Sequence, residues 1–213
     1  MPSDRLQPAT TRSRFQAEAE YADSFLKTAF GDQDGMIAAL RRSREADPSF
    51  SAGALALGSV EYQLGNHDAG RALLLELLEH EDDDGDLAET IDAAGDFLII
   101  IENYADGLVL YRGAVGRFPE VAVMHQGRGC CAGHKGLHEE AVEASRAALA
   151  LEPDNQKFVN DLGWCLVEAG RLEEARDVLA RAVAMDPADE RARNNLAIYE
   201  KALGEGAAPA ATG

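Results

Sequence analysis

The sequence predicts an all-α solenoid built from five repeated helical hairpins and a closing helix. Three observations carry that prediction. Gly31, Gly65, Gly136, Gly170 and Gly204 stand 34, 71, 34 and 34 residues apart. Pro48, Pro119, Pro153 and Pro187 stand 71, 34 and 34 apart, so both residue types report one period and one three-residue insertion. Small residues also recur at fixed places within the period, and a period of this length marks stacked supersecondary units.

The first unit, 17–50, places one helix before Gly31, where glycine takes the left-handed conformation that closes a helix, and a second before Pro48, which cannot continue one. The second unit, 51–87, repeats this with Gly65 and ends in the insertion EDDDGDL, 81–87. The third, 88–121, carries Glu102 and Asn103 in the glycine slot, with Asn103 as the expected closure, and then Pro119. The fourth, 122–155, has Gly136 and Pro153, and the fifth, 156–189, has Gly170 and Pro187. A closing helix is expected over 190–204, and residues 1–14 and 205–213 read as disordered tails around the array, 15–204.

The stretch DLGWCLVEAGRLEEA, 161–175, shows why the small residues matter. Glycine inside a helix costs roughly 0.5–1 kcal/mol relative to alanine. Yet the eighth position of successive units holds Ser24, Gly58, Gly95, Gly129, Gly163 and Ala197. The twentieth holds Met36, Gly70, Gly107, Ala141 and Ala175, and the twenty-seventh Ser43, Leu77, Ala114, Ala148 and Ala182. Close approach of neighbouring helices at these places explains Gly163. It does not explain Trp164 beside it.

The fifth unit, QKFVNDLGWCLVEAGRLEEARDVLARAVAMDPAD, resembles the tetratricopeptide repeat: Leu162, Gly163, Gly170, Ala175, Leu179, Ala182 and Pro187 stand where that family's pattern puts them. The fourth resembles it through Gly129, Gly136, Ala141, Ala148 and Pro153, with Arg128 where Leu is usual. The first three units depart from the pattern at Met36, Gly70 and Gly107, where Ala is usual, and at Asp82, where Pro is usual. The resemblance covers residues 17–204. It implies a right-handed superhelix with a concave groove lined by the first helices, closed by a polar capping helix in which Arg191, Arg193, Asn194, Glu200 and Lys201 face water.

Composition narrows the partner. The net charge is -18, which argues against nucleic acid, since its binders present clustered Lys and Arg. Residues 51–121 carry 3 Lys+Arg against 15 Asp+Glu, so the middle of the chain is the acidic part. The longest strongly apolar run, 97–101, falls far short of the roughly 20 residues that span a bilayer, and no apolar segment follows Arg5, Arg12 and Arg14 as in a secretory signal. Three cysteines, two of them adjacent, make no disulfide framework, and a cytoplasmic setting is expected.

Catalytic patterns are not found: there is no phosphate loop, no HExxH and no serine elbow, and no cofactor is implied. The acidic insertion has Gly85 in the wrong place for a calcium loop, because the sixth position from Asp82 is Leu87. HQGRGCCAGHKGLH gathers soft ligands, and Cys130 and His134 share a helical face that could take part in a metal or redox site.

The resemblance places in the groove Tyr21 and Phe25 from the first unit, Leu55 and Tyr62 from the second, and Glu89, Asp92 and Asp96 from the third. From the fourth come Gln126, Cys130, Gly133 and His134, from the fifth Lys157, Asn160 and Trp164, and from the cap Arg191 and Asn194. Glu89, Asp92 and Asp96 form one acidic stripe whose mutual repulsion a basic ligand relieves. Trp164, beside Gly133, has room to act as an anchor. Family members that hold a chaperone's C-terminal carboxylate use Lys and Asn where this chain has Tyr21 and Phe25; Lys157 with Asn160 and Arg191 with Asn194 are a polar echo of that set. The expected function is a non-enzymatic scaffold or adaptor that binds a peptide or helix of another protein, of basic character. The alternatives are self-assembly into a homo-oligomer, by stacking or tail insertion, and the metal or redox role of Cys130 and His134.

Overall fold

The computed structural model describes residues 11–81 and 86–204, and these are all-helical. The α-helices among the described residues are α1 (Thr11–Ala29), α2 (Gln33–Ala46), α3 (Ser51–Gln63), α4 (His67–Glu76), α5 (Leu87–Ile100), α6 (Tyr104–Arg117), α7 (Ala122–His134), α8 (His138–Leu151), α9 (Gln156–Glu168), α10 (Leu172–Met185) and α11 (Glu190–Gly204). A 3-10 turn, Leu77–Glu79, extends α4. None of these helices is long and apolar enough to cross a membrane.

Local chemistry sets the boundaries. Gly31, Gly65, Gly136 and Gly170 have φ of +73°, +81°, +71° and +74°, the left-handed region where an L side chain is strained. In the third unit that conformation is taken by Glu102, at φ 59°, and not by the expected Asn103. Asn103 instead begins α6, its side chain accepting from the Asp106 N–H, because a carboxamide satisfies an orphan amide best at the cap. Asp32 caps α2 through Gly35 N–H at 2.9 Å and Asn155 caps α9 through Phe158 N–H at 3.4 Å.

One expectation for the ends is corrected. Residues 11–14, read as part of a tail, belong to α1, and Arg14 Nε donates to the buried carboxylate of Asp47 at 2.5 Å. A fixed ion pair and a helical backbone replace the disorder that their polarity suggested. The expected tails at 1–10 and 205–213, and 82–85 of the acidic insertion with Asp82 and Gly85, lie outside the described residues.

The chain divides into two units after Ile101, so the two helices of the third repeat belong to different units. In the first, α1 packs on α2, α2 on α3, and α3 on both α4 and α5. Ala17, Ala39, Ala54, Leu74, Leu77, Leu87, Ile91 and Leu98 form its interior. Ser43 Oγ donates to the Ala17 carbonyl at 2.8 Å, so the small side chain both admits close approach and satisfies its own hydroxyl.

In the second unit α6 to α11 pack in sequence, and α9 also contacts α7 and α11, bringing the first helices of adjoining repeats side by side. Leu110, Tyr111, Met124, Val142, Leu166 and Leu179 are fully buried there, each worth on the order of 1.5–3 kcal/mol in apolar transfer for a leucine-sized group. A β-carbon on Gly163 would lie 2.6 Å from Leu179 Cδ2, so the glycine lets α9 and α10 meet. At Gly127 the ring of Tyr111 occupies the β-carbon's space, and at Gly129 the neighbour is Ser145 Oγ at 3.0 Å.

Candidate functional site

Along α9, Asp161, Trp164 and Glu168 are spaced three and four apart, which sets them on one face. On α7, Gln126, Cys130, Gly133 and His134 do the same. These two faces, with Gly129, Ser145, Cys165 and Arg191 of α11, line a cavity of about 170 Å³ wholly within the second unit. A cavity near 150 Å³ takes a benzene ring, whereas sites for drug-sized molecules run from about 300 Å³ upward. The space is that of one side chain.

Two carboxylates border it, in different states. Asp161 is engaged: it accepts from Arg191 Nη2 at 2.6 Å and from Gln126 Nε2 at 3.2 Å. Glu168 makes no ion pair among the described residues, and its Oε2 lies 3.3 Å from where a β-carbon on Gly133 would stand. His134 lies flat on Tyr104, with ring centroids 3.9 Å apart and 3° between planes. Deeper in, Ser145 Oγ and Cys165 Sγ are 3.4 Å apart.

Burial pushes the Cys165 thiol up to about 11, and the nearby Glu168 and Asp161 charges add to it, so the sulfur is protonated and unreactive at neutral pH. Among the described residues the Ser145 hydroxyl pairs with Cys165 and not with a histidine or carboxylate. Among the described residues no three His, Cys, Asp or Glu side chains are grouped to hold a metal ion. What the walls offer is the indole of Trp164, the imidazole of His134 and the uncommitted carboxylate of Glu168.

Of the residues expected in the groove, this pocket gathers Gln126, Cys130, His134, Trp164 and Arg191, together with Gly133. Two others are corrections. Tyr62 is 5% exposed, its ring edge-on to Phe97 at 5.8 Å and filling the space left by Gly70, so it is core. Asn160 is 1% exposed and accepts from Asn195 Nδ2 at 3.0 Å; the cap is turned so that Asn195, and not the exposed Asn194, meets α9. The buried Asn160 oxygen is satisfied by this donor from the half-buried Asn195.

Lys157 is exposed and apart from the pocket. In the first unit Tyr21 packs edge-on against Phe25 at 4.9 Å and Phe50 at 5.5 Å, with Phe25 mostly exposed. Glu89 and Asp96 are exposed on α5 and Asp92 is half-buried. Asp161, Glu168, Ser145 and Cys165 were not foreseen. The spacing from Trp164 could have identified the two acids, while the serine and cysteine read as ordinary core.

Two family models described as tetratricopeptide repeat match residues 134–205 and 37–86, together more than half of the chain. Among solved structures, YrrB, described as a TPR protein with an unusual peptide-binding site, is similar with a TM-score of 0.58 at 17% identity, covering 86% of this chain and 92% of that one. MamA from Desulfovibrio magneticus RS-1 gives 0.57 at 16%, covering 82% and 97%. The first TPR of Spaghetti (RPAP3), bound to the HSP90 peptide SRMEEVD, gives 0.52 at 20%, covering 55% and 93%. At such identities the likeness is one of fold. No curated protein sequence matches the chain. The matched repeats, the all-helical hairpins and the left-handed glycines at the repeat turns agree: the chain belongs to the tetratricopeptide repeat family.

Proposed function

We propose that this protein is a non-enzymatic interaction module that holds a peptide or helical segment of a partner protein, of basic character, on the face formed by α7, α9 and α11. The observation that carries the reading is the side-chain-sized cavity bordered by Trp164. An amphipathic ring at the edge of a small pocket suits an anchor that excludes water around one inserted side chain. The unreactive Cys165 thiol supports binding over catalysis. Basic character is supported by the uncommitted Glu168, which borders the pocket. YrrB, with its unusual peptide-binding site, and the RPAP3 domain, bound to an HSP90 peptide, are consistent with this use of the fold.

Selection of peptides from a displayed random library on the full chain tests it. Selected peptides should lose at least tenfold in affinity for Trp164→Ala, with far-UV circular dichroism unchanged. Equal binding to the variant would remove the pocket from the mechanism.

Self-assembly is a second reading, favoured by one observation. Phe15, Leu26 and Phe30 of α1 and the residue after it are 73%, 59% and 86% exposed, in line with exposed Ala19 and Ala22. An apolar stripe of this kind marks an interaction surface. Light scattering at rising concentration checks it; a monomer throughout counts against it.

A further inference from the structure

Building on the peptide-binding reading, we infer that the pocket between α7 and α9 selects a single cationic side chain of the partner, arginine ahead of lysine. The cation lies on the indole of Trp164 and pairs with Glu168, and Gly133 provides the opening.

Charge within the pocket argues for it. Its walls carry Asp161, Glu168 and Arg191. Arg191 is held by Asp161 at 2.6 Å, with Gln126 closing on the same carboxylate at 3.2 Å, which leaves neither free for a ligand. Glu168 alone keeps its charge unmatched at the edge of a partly water-excluding space, where a counter-ion gains more than in open solvent. An anionic side chain would meet that carboxylate and is rejected.

Gly133 is the second, independent observation. Three glycines stand in α7, Gly127 and Gly129 in its interior and Gly133 in its last turn, and glycine weakens a helix. Gly127 is required by the ring of Tyr111, and at Gly129 a β-carbon would press on Ser145 Oγ at 3.0 Å. At Gly133 no backbone stands in the way: a β-carbon would meet only the tip of Glu168, at 3.3 Å, and Ala141 Cβ at 3.9 Å. Packing does not demand this glycine. What its missing side chain leaves is access to the Glu168 carboxylate, directly across from α7.

Arginine fits better than lysine for a geometric reason. Trp164 and Glu168 are one turn apart on α9, so a planar guanidinium can stack on the ring and still donate through two N–H groups to one carboxylate, which an ammonium cannot.

Trp164 is the only tryptophan in the chain, so its fluorescence reads the pocket directly. The full chain, immobilised, is presented with a degenerate octapeptide library blocked at both ends, and retained peptides are sequenced. A retained peptide is then titrated against Trp164 fluorescence with its cationic position as arginine, lysine or citrulline, the neutral isostere of arginine. Enrichment of arginine over lysine at one position is expected, with a loss of about tenfold or more for citrulline, the size of one charge-assisted hydrogen bond. Glu168→Gln should weaken the arginine peptide equally and leave the citrulline peptide unchanged. Gly133→Leu should abolish both by filling the opening, and Glu173→Gln, an exposed acid on α10, should change nothing. Retained peptides without a cationic preference, or an arginine peptide indifferent to citrulline exchange, overturn this inference and leave peptide binding standing; retention of no peptide overturns both.

Discussion

Replacing Gly163 with alanine tests the packing argument on which the repeat rests. The added β-carbon would lie 2.6 Å from Leu179 Cδ2, 2.7 Å from its Cγ and 3.4 Å from its backbone nitrogen. Carbon atoms in contact settle at about 3.5–4.0 Å, so α9 and α10 must separate by roughly 1 Å or Leu179 must leave its rotamer. Leu179 is fully buried and has little room to turn. Overpacking of this kind costs about 1–3 kcal/mol. Alanine's better helix propensity returns about 0.5–1 kcal/mol, leaving a net loss of about 1–2 kcal/mol. Leu179→Ala by itself should cost about 2–5 kcal/mol by opening a cavity. In the double variant the new methyl group enters that cavity, so the two losses should fall short of their sum by about 1–2 kcal/mol. Urea unfolding followed by Trp164 fluorescence reports on the second unit, which holds the only tryptophan. If Gly163→Ala stabilises the protein, or if the cycle is additive within about 0.5 kcal/mol, the close-packing account of this glycine is wrong.

Three further outcomes follow from the second unit. Gly127→Ala should destabilise by more than Gly163→Ala, because the obstacle is the fully buried ring of Tyr111; the same urea titration ranks the two, and the reverse order refutes the reasoning. Hydrogen bonds from Arg112, at 2.9 and 2.5 Å, with a further one from Arg128 at 2.9 Å, outweigh burial and pull Glu140 down to about 2 from an ordinary 4.5. A carboxylate held below its unfolded value stabilises the fold above pH 4.5 and loses that contribution as the pH falls towards 2. The upper bound is about 3 kcal/mol, and the half-exposed Arg112 brings it to about 1–2 kcal/mol. Glu140→Gln should therefore be less stable than the parent by that amount at pH 7 and equal to it near pH 2, and a pH-independent difference would count against the pair. With its thiol near 11, about one Cys165 in a thousand is ionised at pH 8, so iodoacetamide should label the half-buried Cys130 first, read by mass spectrometry; equal rates would contradict the burial argument.

The family, the helical class and most of the repeat turns were legible in the residues alone. These are local matters: a left-handed turn favours glycine, a proline stops a helix, and a missing side chain at a crossing is written into the chain whatever surrounds it. The family resemblance also marked Trp164, Cys130, His134, Gln126 and Arg191, by the groove register it assigns to the first helices and the cap. Tertiary structure decided what spacing cannot express. Tyr62 and Asn160 share the groove register yet are buried, because Phe97 and Gly70 surround one and Asn195 satisfies the other. Glu102 bears the strained turn because the neighbouring Asn103 does more as a cap. Most of all, Asp161 and Glu168 look alike in the chain, and only the reach of Arg191 from α11 and the gap at Gly133 on α7 leave the first carboxylate occupied and the second open.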